Sequence, residues 1–315
     1  MKRLRKSGWF ALILLTMLLA ACGSGSGKET KADNTSAANS SVKANETDEK
    51  PSVEEKPSVD AKSAEEAKPS APEKKEIVFG ATAGPYSDQI KLGIKPYLEK
   101  KGYKVSIVEF NDYIQPNLAL AEGSLDANAF QHIIYLNKFA EEHNLELTDL
   151  LKVPTAPIGI YSKKHPSVED VKEGAKVALP NDPTNQARAL VMLEQFGWIT
   201  LKENYDPLTV SEKDVADNLK KIELLPIEAA QLPRSLDDTD YSFINGNFAL
   251  ASGLKLTEAL ALEETPETYV NLVAVRTADL EATFVKDIEE AYKSEEFKQL
   301  TETEFAGFVK PDYQR

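Results

Sequence analysis

The strongest constraint on the fold is an order of elements that occurs twice. In the first copy the apolar run Glu76-Ile77-Val78-Phe79-Gly80 enters a turn at Gly84-Pro85. A helix follows, with Ile90, Ile94, Tyr97 and Leu98 at helical spacing. A second strand is expected over 103–110, a short helix over 117–122 and a third strand over 125–131. In the second copy the strand is 176–180, the turn is Asn181-Asp182-Pro183-Thr184-Asn185, and the helix carries Leu190, Leu193 and Phe196. A strand over 221–225, a short element over 231–236 and a strand over 240–245 complete it. In each copy an Asp opens the third strand (Asp126, Asp240) and an amide lies five residues on (Gln131, Asn245). Alternating strands and helices make parallel, doubly wound sheets, so the fold class is α/β with two similar doubly wound lobes. Ligands bind beyond the carboxyl ends of such strands, and two lobes facing each other make a cleft that closes by hinge motion.

The strand-like segments 157–162 and 269–276 are the candidates for crossing between lobes. A helix from Asp279 onward, apolar at Phe284, Ile288, Ala291 and Leu300, is expected to pack back on the first lobe. The limits that follow are 76–157 for lobe 1, 158–245 for lobe 2 and 246–315 for a return segment with the C-terminal helix.

The chain begins with a different kind of signal. Lys2, Arg3, Arg5 and Lys6 precede the apolar run Trp9 to Leu19, then Ala20-Ala21-Cys22-Gly23. That run is short for a membrane span and suits a secretory signal over 1–21. The sequence Leu19-Ala20-Ala21-Cys22 resembles the lipobox of bacterial lipoproteins, in which the cysteine thiol is alkylated by a diacylglycerol before cleavage. Cys22 is the lone cysteine of the 315 residues, so no intrachain disulfide can form and the thiol is free for an anchor. Two or more acyl chains hold firmly where one holds only reversibly. From Gly23 to Lys75 the chain is Ser, Ala, Lys, Glu and Pro with almost no large apolar residue, a composition that reads as a disordered tether of about 40 Å r.m.s. span. The expected location is the extracytoplasmic face of a cell membrane, held by lipid only.

Charge and composition exclude several functions. The formal charge is −14, and removal of the four N-terminal bases takes it to −18. Such a surface repels phosphate, so neither nucleic acid nor anionic lipid is an expected partner of the folded part. Three histidines without a His/Cys/Asp cluster give no metal site, and no cofactor is implied. There is no G-x-S-x-G, and the acid pairs Asp237-Asp238 and Glu263-Glu264 fit solvated turns. Nothing in the sequence asks for an enzyme.

Two polar stretches carry candidate binding chemistry. The turn 181–188 lies between strand and helix, where free backbone N–H groups favour an anion. Arg188, expected in the first helical turn, has the planar fork that matches a carboxylate. Position alone leaves open whether it meets a ligand or an acid on the surface. In the first lobe Phe130, His132 and Tyr135 sit at a strand end and helix start, with Tyr86 and Tyr113 on the two preceding turns. These aromatics could converge on a box for an apolar or thioether side chain, or simply pack in the core or at its rim.

The stretches Phe110 to Tyr113, Asp126 to Leu136, Tyr161 to Lys164, Val177 to Leu190, Gln231 to Asp238 and Tyr269 to Arg276 resemble the NlpA-type methionine-binding lipoproteins, the substrate-binding components of methionine ABC importers. The resemblance covers Ile77 to Arg315, and Pro180-Asn181-Asp182-Pro183-Thr184-Asn185 with Arg188 is its most specific part; the tether is longer than usual. It implies a periplasmic-binding-protein-like fold of type II and a monomer that captures L- or D-methionine and delivers it to a permease with a cytoplasmic ATPase. It also implies that Arg188 holds the ligand's carboxylate, that Asn185 and Asn245 bind its polar groups, and that Tyr113, Phe130, His132 and Tyr135 take its side chain. Tyr86 joins this set from the turn below. Some family members resemble receptors for methionine-containing dipeptides or modified methionines, so those remain alternatives. An envelope hydrolase of small molecules is a more distant one.

Overall fold

The computed structural model describes residues 74–315. The expected signal, Cys22 and all but Lys74 and Lys75 of the expected tether lie outside the described residues.

Twelve strands are present among these residues: β1 (Glu76–Thr82), β2 (Lys104–Phe110), β3 (Ala127–His132), β4 (Leu147–Lys152), β5 (Gly159–Tyr161), β6 (Lys176–Pro180), β7 (Thr200–Leu201), β8 (Val215–Asp217), β9 (Glu223–Ile227), β10 (Tyr241–Ile244), β11 (Ala261–Leu262) and β12 (Asn271–Arg276). One sheet has the order β2-β1-β3-β12-β4; read in the corresponding direction the other is β9-β6-β10-β5-β11, with β7 and β8 as a separate hairpin. In each sheet the first three strands are parallel and the fourth, β12 or β5, runs antiparallel to both neighbours. The two lobes therefore share one plan, and the doubly wound expectation holds.

The recurring Asp has a structural purpose. Asp126 donates its N–H to Val78 O and accepts from Val78 N at Oδ2, 2.8 Å; Asp240 does the same to Lys176, also at 2.8 Å. Each fastens the start of the third strand to the first.

The segments expected to cross are sheet strands instead. Leu272 to Val275 and Ile160 are buried, and a strand apolar on both faces is stable only inside a covered sheet. The actual crossings are the short stretches beside them, residues 153–158 between β4 and β5 and residues 263–270 between β11 and β12. The second lobe also passes the expected limit at 245. Phe248 and Ala249 of helix Gly246–Ala251 pack with Leu232, Leu236 and Ile244, and β11 pairs with β5. The edge strand β4 has no counterpart among the expected elements.

At the C-terminus the single expected helix is two, Thr283–Lys293 and Glu295–Glu304, broken at Ser294, whose hydroxyl caps Phe297 N. Phe284, Ile288, Ala291 and Phe297 join Ile77, Phe79, Ile90, Ile94 and Leu98 in one core, so the C-terminal segment does pack on the first lobe. Between Pro85 and Lys100 the helix contains a π-turn over Ile90–Ile94. There Gly93 faces the ring of Phe297, and a Cβ would lie 2.5 Å from it. Trp198, Tyr241, Phe243, Leu190 and Leu193 centre the core of the second lobe. No helix of the described residues is long and apolar enough to cross a membrane.

Candidate functional site

The turn after β6 closes on itself before helix Pro183–Gln195 begins. Asp182 is the N-cap, and its Oδ1 accepts from Asn185 N and Thr184 Oγ1, each at 3.0 Å. One of the first-turn N–H groups expected to favour an anion, that of Asn185, is thus served by the chain's own carboxylate. Burial nudges that carboxyl upward, against the hydrogen bonds from Asn185 and Thr184.

Arg188 lies one turn further into the helix than expected, and it is buried. Its Nε donates to Glu263 Oε1 at 2.8 Å, its Nη2 to Glu263 Oε2 at 2.5 Å and its Nη1 to Asn185 Oδ1 at 2.9 Å. The guanidinium carbon stands 4.9 Å from the ring centre of Tyr269. Glu263 does not sit in a solvated turn; only 6% of its side chain is exposed. A buried guanidinium requires a counter-charge, and the crossing segment brings this one in. Burial pushes the Glu263 carboxyl up, but Arg188 beside it, with Thr265, holds it below the usual carboxylate range. A guanidinium has five N–H groups; these contacts engage three and leave one on each terminal nitrogen.

Two buried polar atoms next to Arg188 have no hydrogen-bond partner, Asn245 Oδ1 and His132 Nε2. Asn245 spends its Nδ2 on Asn185 Oδ1 at 3.0 Å. His132 caps helix Ile133–His143, where its Nδ1 accepts from Tyr135 N at 3.2 Å. That bond assigns the ring proton to Nε2. Burial first, then the nearby positive charge of Arg188, hold His132 well below its ordinary pKa, with Asn185 pulling weakly the other way. The site therefore offers two guanidinium N–H groups, an imidazole N–H and a bare amide oxygen.

The aromatic side is a packed set. The Tyr113 ring lies 5.7 Å from Phe130, 5.9 Å from Tyr135 and 5.1 Å from Phe248, while His132 meets Tyr269 edge-on at 4.9 Å. Tyr135 donates to Tyr113 O at 3.0 Å. Burial raises the phenol pKa of Tyr86 and Tyr113 well above the ordinary value, so both stay protonated. Asn247, from the second lobe, is held by the first at both ends of its amide: Tyr113 Oη donates to its Oδ1 at 2.8 Å, and its Nδ2 donates to Thr82 Oγ1 at 3.2 Å. Its neighbour Gly246 packs on the crossing segment, where a Cβ would lie 2.5 Å from Pro157 O.

All eight residues singled out in the sequence, Tyr86, Tyr113, Phe130, His132, Tyr135, Asn185, Arg188 and Asn245, line one cavity. Gln131, the counterpart of Asn245 in the first lobe, turns its amide to Asn117, with reciprocal bonds of 2.7 Å. Sequence reasoning missed Asn247, Phe248, Glu263 and Tyr269. The buried Arg188 itself implied a carboxylate partner, but nothing local pointed to one 75 residues away.

Two such lobes, each a sheet with one inner antiparallel strand, lining one cavity, are the architecture of type II periplasmic-binding-protein-like proteins. The family model for NlpA lipoproteins matches residues 77–313, and the chain belongs to that family. The probable D-methionine-binding lipoprotein MetQ of Vibrio cholerae is 37% identical over 240 residues, 75% of this chain and 88% of its own. A nutrient binding protein from Burkholderia cenocepacia, solved bound to methionine, is 42% identical with a TM-score of 0.71, covering 74% of this chain and 99% of that one. A putative methionine-binding lipoprotein of Bacillus subtilis is 33% identical with a TM-score of 0.71, over 75% of this chain and 99% of its own.

Proposed function

We propose that this lipoprotein captures methionine, as the L- or D-isomer, in the cavity between its lobes and delivers it to an ABC importer, acting as a monomer and without catalysis. One observation carries the reading: the two N–H groups that the protein's own contacts leave on Arg188 and the bare oxygen of Asn245 belong to residues that line one cavity with the aromatic set. The first pair suits an α-carboxylate and the second an α-ammonium. The rings of Tyr113, Phe130 and Tyr135 suit a thioether, which gains from sulfur–aromatic contact. The names of the relatives, as methionine-binding proteins, support the same ligand and a binding role rather than an enzymatic one.

Native mass spectrometry of the purified protein, followed by competition between methionine and glycyl-methionine on ligand-stripped protein, tests this. Methionine is expected to co-purify and to win the competition. A dipeptide that competes alone would keep the role of Arg188 and overturn the ligand.

Cys22 is the proposed lipid attachment site, because Leu19-Ala20-Ala21 precedes it and no other thiol exists. The Cys22→Ala precursor is expected to remain uncleaved or to leave the membrane; fractionation that finds it processed and retained would refute the anchor.

A further inference from the structure

Arg188 and Glu263 together fix the net charge of the cavity as well as the direction of the guanidinium. Both Glu263 oxygens bond Arg188; Oε2 also accepts from Thr265 Oγ1 at 2.8 Å, and Glu263 N donates to Ile158 O at 2.9 Å. The carboxylate is thus anchored to both crossing segments. The other ionisable groups packed around Arg188 add no positive charge. Asp182 is half-buried and bears a carboxylate, His132 is held neutral, and the phenols of Tyr86 and Tyr269 are raised, the latter to about 12 by burial. The one cation of the site is therefore neutralised before any ligand enters.

We propose that Glu263 determines the charge class of the ligand: by neutralising Arg188 from behind, it makes the cavity accept carboxylates that bring their own α-ammonium and reject those that do not. The proposal rests on the reading that Arg188 takes the ligand's carboxylate. A zwitterion places its carboxylate on the two remaining N–H groups and its ammonium at Asn245 Oδ1, within the field of Glu263 and Asp182. The hydroxy or des-amino acid of the same skeleton brings an uncompensated negative charge into a buried site that already holds a carboxylate. In such surroundings charge–charge terms far exceed those in water.

The test is calorimetry with methionine and with 2-hydroxy-4-(methylthio)butanoate, on the wild-type protein and on Glu263→Gln. The wild type is expected to prefer methionine strongly, and Glu263→Gln to narrow that preference by about tenfold or more. Misplacement of Arg188 would weaken both ligands alike, since both use the same fork, so the ratio isolates charge. A ratio within about twofold of wild type in a folded variant overturns the proposal. A second measurement needs no variant. At about pH 5.5 the hydroxy acid is expected to bind wild type with proton uptake, as Glu263 or Asp182 is neutralised, and methionine without it; equal uptake for both overturns the proposal. A wild-type protein that binds both ligands equally also overturns it, and one that binds neither overturns the methionine reading and this proposal together.

Discussion

The two lobes carry one scaffold and opposite chemistries. Both use a sheet in which three parallel strands are followed by one antiparallel strand, and both fasten the third strand with an Asp. Yet the turn after β1 presents Tyr86, and the end of β3 presents Phe130 and His132, whereas the corresponding places after β6 and β10 present Asn185, Arg188 and Asn245. The equivalent amides diverge most plainly. Gln131 is consumed inside its own lobe by Asn117, while Asn245 keeps an oxygen free toward the cavity. The first lobe therefore supplies shape and polarisability, the second supplies charge and directed hydrogen bonds, and the fold serves both equally well.

That division can be broken first at the charged side. Arg188→Ala is expected to cost about 2–5 kcal/mol of methionine binding, roughly 30- to several-thousand-fold in affinity. It also strands Glu263 without its partner, so a lower melting temperature should accompany the loss. Calorimetry that finds only a few-fold change would mean that the polar lobe does not hold the carboxylate.

On the aromatic side, glutamine keeps the zwitterion and replaces the thioether by an amide with few partners. Its affinity should fall by about 1–3 kcal/mol relative to methionine. A competition assay in which glutamine equals methionine would remove the distinction between the lobes.

His132 belongs to the aromatic lobe, where burial first and then the positive charge of Arg188 from the other lobe hold its pKa down. The unfolded chain takes up a proton on histidine below about pH 6.5, whereas the buried, depressed His132 does not. Stability should therefore be fully present above that pH and fall as the pH drops, by up to about 1.4 kcal/mol per unit from this group until its folded pKa is reached. Denaturant unfolding of wild type and His132→Asn at pH 7.5 and 5.5 should give a smaller drop in the variant; equal drops would mean that His132 is charged in the folded protein.

The smallest effect sharpens the aromatic side further. Norleucine replaces sulfur by a methylene at the same length and should bind about 1 kcal/mol more weakly if sulfur–aromatic contacts operate. Equal affinity would reduce the box of Tyr113, Phe130 and Tyr135 to plain apolar burial.

Much of this was legible in the sequence because it is written at short range. The spacing of Ile90, Ile94 and Leu98 records a helix face, the runs at 76–80 and 176–180 record buried strands, and the Asp at the head of each third strand marks the repeat. The residues that line the cavity were legible because they stand at or just beyond the carboxyl ends of those strands, where doubly wound sheets put their ligands. Residues 269–276 misled because an antiparallel inner strand and a connecting segment share one apolar pattern, and the pairing partner alone tells them apart.

What the sequence determined by itself was the two-fold plan, the side chains available to the site and the acidic character of the protein. Tertiary structure alone decided that β5 and β12 complete their sheets, that the Asn185 N–H at the helix N-terminus is spent on Asp182, that Asn247 clasps the opposite lobe 134 residues away, and that Glu263 neutralises Arg188. The reason is one of range. Local periodicity reports which face of an element is buried, whereas the partner of a buried polar group is set by where the closed chain brings a second one, and no spacing along the sequence encodes that distance.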